Sequence, residues 1–134
     1  MSTTTTARVT SVRVPFTVPN KVGLMLAGLL GVADMGALAF PTPPGEVGPP
    51  LGILVLDSLL GIVTVVAVIL AWRRRSRGLV RLAAGARILS MISALPAFFA
   101  GVPDFVVGMV ALYTLLTITA VVLMLLPPRR QLDA

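Results

Sequence analysis

The sequence contains no cysteine and no histidine. Their absence excludes disulfide bonds, thiol redox chemistry, Cys/His zinc sites and histidine haem ligation. It also excludes catalysis that depends on a histidine base or a cysteine nucleophile. No phosphate-binding loop, nucleophile–base set or metal-ligand cluster replaces them. The chain is therefore predicted not to be an enzyme, with no catalytic residue, cofactor or metal site.

Charged residues are also scarce, at 12% of the 134 residues, whereas 57% are hydrophobic. Apolar residues collect in four runs of about 20 residues, the length a helix needs to cross a hydrocarbon core of roughly 30 Å. The sequence therefore predicts an all-α integral membrane protein, an antiparallel up-down bundle of four transmembrane helices. The bundle covers residues 21–126, between tails at 1–20 and 127–134. Its predicted helices are 21–40, 51–72, 82–102 and 103–126.

The few charges are unevenly placed. Ten of the eleven Lys and Arg residues precede the first run, separate the second from the third, or follow the fourth, and Arg87 alone lies inside a run. The connections 41–50 and 103–104 contain no base. This pattern predicts cytoplasmic N and C termini, with the Arg-rich side at anionic lipid headgroups. Without a basic domain that carries interleaved aromatics, no nucleic-acid partner is predicted.

The amino-acid composition indicates in which kind of membrane the protein lies. Arginine outnumbers lysine ten to one, and alanine, valine and glycine are abundant, which is typical of GC-rich bacterial genomes. We therefore predict a multi-pass protein of the bacterial inner (cytoplasmic) membrane. The first run also resembles a cleavable signal peptide ending at Ala37-Leu38-Ala39. A retained helix is favoured over cleavage because the run is long enough to span and has no polar segment before that motif.

Local signals predict where the helices end. The Ser/Thr-rich tail is predicted to be disordered, and Asn20 to cap the first helix. Half of residues 41–50 are proline, which predicts a stiff, polyproline-like arch. Pro96 is expected to kink the third helix in its outer third, and Pro127 to end the fourth.

The second and fourth runs resemble each other. Residues 52–74 and 108–130 align without a gap and match at 10 of 23 positions. This favours two tandem helical hairpins related by a pseudo-two-fold axis along the membrane normal. Shared Leu- and Val-rich composition is the alternative explanation.

Two carboxylates interrupt the apolar runs. Asp34 and Asp57 each lie six residues inside the outer end of a run, about 9 Å deep, on consecutive helices. Each shares a face with small or polar residues, the kind of face along which membrane helices pack. We therefore expect the two carboxylates to approach each other inside the bundle. The predicted packing positions are Gly23, Ala27 and Gly31 in the first helix and Gly61 in the second.

Two further polar residues complete the set of intramembrane candidates. Arg87 lies on a small-residue face of the third helix, and its side chain is predicted to reach back to the cytoplasmic headgroups, with a buried partner as the alternative. Direct pairing with Asp34 or Asp57 looks strained, because the depths differ by roughly 10 Å. Tyr113 occupies the position that corresponds to Asp57 in the repeat, which places a phenol beside the carboxylates.

Two functions fit these features. The first is a non-catalytic scaffold or accessory subunit, whose small-residue faces bind a second copy or a larger membrane protein. The second is a small proton- or cation-coupled transporter or channel that uses Asp34 and Asp57, because intramembrane carboxylates often mark ion paths. Low polar content and the lack of a helix broken at mid-depth favour the first.

Overall fold

The computed structural model describes residues 15–40 and 42–127. Within these ranges the chain is helical and contains no strand. Most of the predicted N-terminal tail and nearly all of the C-terminal one lie outside the described residues. The four long helices are α1 (Val18–Gly36), α2 (Leu51–Arg74), α3 (Arg77–Ala94) and α4 (Asp104–Leu125). Short 3₁₀ helices at Ala37–Ala39 and Leu95–Phe98 extend α1 and α3.

All four long helices are long and apolar enough to cross a membrane, which indicates a multi-pass membrane protein. They pack as a ring in which α1 contacts α2 and α4, and α3 contacts the same two helices. α1 and α3 also touch across the centre of the ring. The four-helix architecture is thus confirmed within the described residues.

The bundle exposes far more apolar surface than a soluble protein does. Long apolar side chains cover the outside, and Leu29, Leu115 and Phe105 are 68%, 63% and 77% exposed. The interior combines apolar residues such as Leu24 and Ala27 with charged and polar side chains, and Arg87 is fully buried. Soluble monomers rarely expose apolar patches of this extent.

The prediction that Asn20 caps α1 was wrong, because the helix begins earlier. Thr17 is the N-cap residue, and its backbone N–H donates to the Asn20 side-chain oxygen at 3.3 Å. The Asn20 side-chain amide donates instead to the carbonyls at the end of α4, those of Leu123, Met124 and Leu126, at 2.9–3.1 Å. These carbonyls have no partner within α4. Asn20 therefore joins the first turn of α1 to the last turn of α4.

The remaining helix boundaries and the 41–50 connection depend on arginine, proline and glycine residues. α3 starts at Arg77, five residues before the predicted start, because arginine is a good helix former and the apolar run marks only the membrane-embedded part. Pro96 does not kink a continuous helix: the α-helix ends at Ala94 and continues as a 3₁₀ turn. In the 41–50 connection, the Glu46 N–H donates to the Pro43 carbonyl across a turn that requires the positive φ of Gly45.

Candidate functional site: a buried polar cluster

All four helices contribute to one set of hydrogen-bonded side chains, which we call the polar cluster. Its members come from α1 (Asp34), α2 (Asp57), α3 (Arg87, Ser90, Ser93) and α4 (Tyr113, Thr117). It contains every intramembrane polar residue predicted from the sequence. Since a lone buried charge is costly in a membrane, the way these groups satisfy one another decides what the cluster can do.

Arg87 forms a buried ion pair with Asp34, so the prediction that it reaches the cytoplasmic headgroups was wrong. Its Nη1 donates to Asp34 Oδ2, and Nη2 donates to the Tyr113 hydroxyl and lies 3.5 Å from Thr117 Oγ1. The guanidinium carbon also lies 5.2 Å from the centre of the Tyr113 ring. Three polar contacts and an aromatic face therefore surround the guanidinium, whereas its buried Nε has no hydrogen-bond partner among the described residues.

The sequence predicted that Arg87 and Asp34 lie at depths that differ by roughly 10 Å. The Arg87 side chain covers the difference by extending along α3. The Ser90 hydroxyl also lies 3.3 Å from Asp34, so Asp34 is level with that residue. Arg87 precedes Ser90 by three positions, which is only about 4.5 Å along the helix axis. The long arginine side chain covers this distance, and therefore extends toward Asp34 and away from the Arg-rich end.

Asp34 and Asp57 approach each other as predicted. The Ser90 hydroxyl lies 3.3 Å from a carboxylate oxygen of each, and it has one proton, so it donates to one of them at a time. The two carboxylates differ in their surroundings. Asp34 is 7% exposed and paired with Arg87, whereas Asp57 is half-buried and accepts from the Ser93 hydroxyl at 2.6 Å. Asp34 and Asp57 therefore lie in different environments, although the sequence predicts that they lie at equal depth.

Tyr113 lies beside the carboxylates, as the repeat predicted. Its hydroxyl donates to Asp34 Oδ1, accepts from Arg87, and lies 3.3 Å from Ser90. The phenol therefore links α4 to α1 and α3 at once. Thr114, in contrast, returns its hydroxyl to the Val110 carbonyl at 2.8 Å and takes no part in the cluster.

Apolar residues close the bundle on the side of the cluster that faces the Arg-rich end. Leu24, Val80 and Met124 are at most 1% exposed and pack with small alanines of α1, α2, α3 and α4. In this conformation the polar groups do not continue through the interior toward that end. The arrangement is therefore a polar layer next to an apolar plug.

The predicted packing residues face the interior of this chain. A Cβ atom on Gly61 would come within 2.6 Å of the Gly31 carbonyl oxygen, and one on Gly23 within 2.7 Å of the Met124 backbone nitrogen. Ala27 is fully buried. These small residues therefore let α1 approach α2 and α4, and their faces are not free to bind a second copy or another protein.

Sequence reasoning missed part of the cluster. Ser90 lies about one turn from Arg87 along α3, but its contact with both carboxylates was not predicted. Ser93 and Thr117 gave no signal, because isolated hydroxyls in membrane helices usually bond to their own backbone. Within residues 15–40 and 42–127, no three His, Cys, Asp or Glu residues gather in a metal-binding arrangement.

Comparisons of the chain with protein families, with curated proteins and with solved structures gave no match.

Proposed function

We propose that the four helices cross a bacterial cytoplasmic membrane in antiparallel order, with both termini in the cytoplasm. The described bases other than Arg87 lie near one end of the bundle, at Lys21 and between Arg73 and Arg81. Glu46, in the 41–50 connection, and Asp104, at the start of α4, lie at the other end, where the described residues include no base. The positive-inside rule supports this orientation, and the apolar exterior supports insertion.

Single introduced cysteines test this topology, because the chain has none of its own. Val47→Cys should react with an impermeant maleimide added outside intact cells, and Ser76→Cys should react only after permeabilisation. The cysteine-free parent is the control for background labelling. Labelling of Ser76→Cys in intact cells contradicts the orientation.

Within this bundle, the function that the geometry supports best is that of a non-catalytic scaffold or accessory subunit. The observation that carries it is the buried ion pair of Arg87 and Asp34, in which the two charges balance within the chain and the apolar plug closes one side. A buried polar network of this kind specifies one arrangement of the helices. The cluster then locks the bundle, which means that it holds the four helices in that one arrangement. Asp34 balances the charge of the Arg87 guanidinium without a substrate or an ion.

A partner of such a scaffold, whether a second copy or a larger membrane protein, would meet the lipid-facing surface. The glycine faces are already used inside the chain. α4 is the least buried of the four helices, and Phe105, Leu112 and Leu115 project from it. Association through this surface would depend on side-chain packing, since lipid tails are as apolar as leucine.

Positions 56 residues apart support the proposed duplication. Asp34 corresponds to Ser90 and Asp57 to Tyr113, and all four belong to the polar cluster. The pair Gly31 and Gly61, where α1 meets α2, corresponds to the pair Arg87 and Thr117, where α3 meets α4. Equivalent positions therefore meet at equivalent helix crossings, as two tandem hairpins about a central axis require.

The second candidate function is proton- or cation-coupled transport, and one observation favours it. Asp57 is half-buried, and the Ser93 and Ser90 hydroxyls connect it to the buried Asp34. Chains of carboxylates and hydroxyls serve as proton paths in membrane transporters. The apolar plug opposes this function, because transport requires a conformation in which the plug opens.

Proton flux in liposomes separates the two functions. The purified protein should dissipate an imposed pH gradient no faster than protein-free liposomes, because the cluster is closed at one end. Asp57→Asn should leave that rate unchanged, and Glu46→Gln is the matched control outside the bundle. Proton flux above background would contradict the scaffold function. If Asp57→Asn abolishes this flux and Glu46→Gln preserves it, the protein is a transporter that uses Asp57.

A further inference from the structure

A second feature lies at the opposite end of the bundle, where a cavity of about 310 Å³ opens between the start of α1 and the end of α2. Its lining residues are Pro15, Phe16, Lys21, Trp72, Arg73 and Arg75. They combine three positive charges with two aromatic rings. This composition suits an anion that has an apolar part.

No described carboxylate balances these three bases. Asp34 and Asp57 belong to the polar cluster, and Glu46 and Asp104 lie at the other end of the bundle. The positive charge around the cavity is therefore available to an external anion. The oxygens of a phosphate group, including the phosphodiester of a lipid headgroup, are suitable acceptors for these Lys and Arg donors.

The local backbone gives the cavity a defined shape. Arg75 follows α2 in the left-handed conformation, with φ of 50°, so the chain turns there before α3 begins at Arg77. Of the three consecutive arginines at 73–75, only Arg73 and Arg75 line the cavity. On the other wall, the Arg77 guanidinium lies 5.7 Å from the centre of the Phe16 ring and holds this aromatic against the bundle.

We propose that this cavity binds the phosphate of an anionic phospholipid headgroup, held by Lys21, Arg73 and Arg75. This inference rests on the proposed membrane orientation and is independent of whether the bundle is a scaffold or a transporter. The cavity lies at the Arg-rich end, where a headgroup sits, and Trp72 is an aromatic of the kind enriched at that depth. The exposed apolar faces of α1 and α2, with Val22 and Ile69, run from it along the path of the acyl chains.

Native mass spectrometry of the intact protein in detergent tests the site. With added phosphatidylglycerol the protein should retain one lipid, and phosphatidylcholine at the same concentration should bind at least tenfold more weakly. Each base removed from the lining of the cavity should weaken binding about fivefold. Arg73→Gln with Arg75→Gln should therefore reduce phosphatidylglycerol binding roughly 20-fold or more, and Lys21→Gln alone about fivefold.

The neighbouring Arg74 is the matched control, because it carries the same charge but does not line the cavity. Arg74→Gln should leave binding within twofold of the parent. An equal loss in Arg74→Gln would overturn the site in favour of general charge attraction. Glycerol 1-phosphate binding as tightly as the lipid would overturn the lipid and assign a soluble phosphate anion. Circular dichroism of each variant shows that a loss is not unfolding.

Discussion

Asp34→Asn is expected to destabilise the bundle by about 3–5 kcal/mol, the usual cost of leaving a buried charge without its partner. The substitution keeps the size of the side chain and removes only its charge. Arg87 then remains fully buried with a positive charge that two hydroxyls cannot neutralise. The free energy of unfolding in detergent, from titration with sodium dodecyl sulfate followed by circular dichroism, measures this loss.

Two further variants should each lose less stability than Asp34→Asn. Asp57→Asn should cost much less than Asp34→Asn, because Asp57 is half-buried and contacts serine hydroxyls rather than the guanidinium. Tyr113→Phe should cost roughly 1 kcal/mol, the order found for single hydrogen bonds between membrane helices. Equal losses in Asp34→Asn and Asp57→Asn would contradict the dominant role of the ion pair.

The second large effect is expected from Gly61→Ala. The added Cβ would lie 2.6 Å from the Gly31 carbonyl oxygen and 2.9 Å from Asp34 Cβ, closer than such atoms approach. Both neighbours are fixed parts of α1, so the two helices must separate. Overpacking of this kind costs about 1–3 kcal/mol, measured by the same titration.

Gly108→Ala is the control for this substitution, because a Cβ at Gly108 would meet nothing within 4 Å. It should leave stability unchanged or raise it by up to about 1 kcal/mol, since alanine is the better helix former. Gly61→Ala should also weaken the ion pair, because it pushes on the Cβ of Asp34. The effects of Gly61→Ala and Asp34→Asn should therefore not be additive. A Gly61→Ala variant as stable as Gly108→Ala would contradict the close helix contact.

The sequence predicted the parts of the fold that depend on hydrophobic length. Four runs of about 20 apolar residues left few alternatives to four long helices, and the structure has them. Helix ends were less predictable, because hydropathy marks the apolar part of a helix and not its hydrogen-bonded ends. α3 therefore begins at Arg77, within the basic segment, and α1 begins before Asn20.

The approach of Asp34 and Asp57 was also predictable, since equal depth and shared small-residue faces depend only on helical geometry. The pairing of Arg87 was not. It depends on α1 and α3 touching across the ring, a tertiary contact that residue spacing within one helix does not determine. The same limit applies to Gly31 and Gly61: sequence shows that such faces pack, but not whether the partner is in the same chain.

A double-mutant cycle on Asp34 and Arg87 tests most directly whether their ion pair locks the bundle. Arg87→Met replaces the charge by an apolar side chain of similar length, and the double variant with Asp34→Asn removes both charges. The double variant should regain most of the stability lost in Asp34→Asn, with a coupling energy of about 2 kcal/mol or more. If the losses of stability in the two single variants simply add, the claim that the ion pair locks the bundle is contradicted.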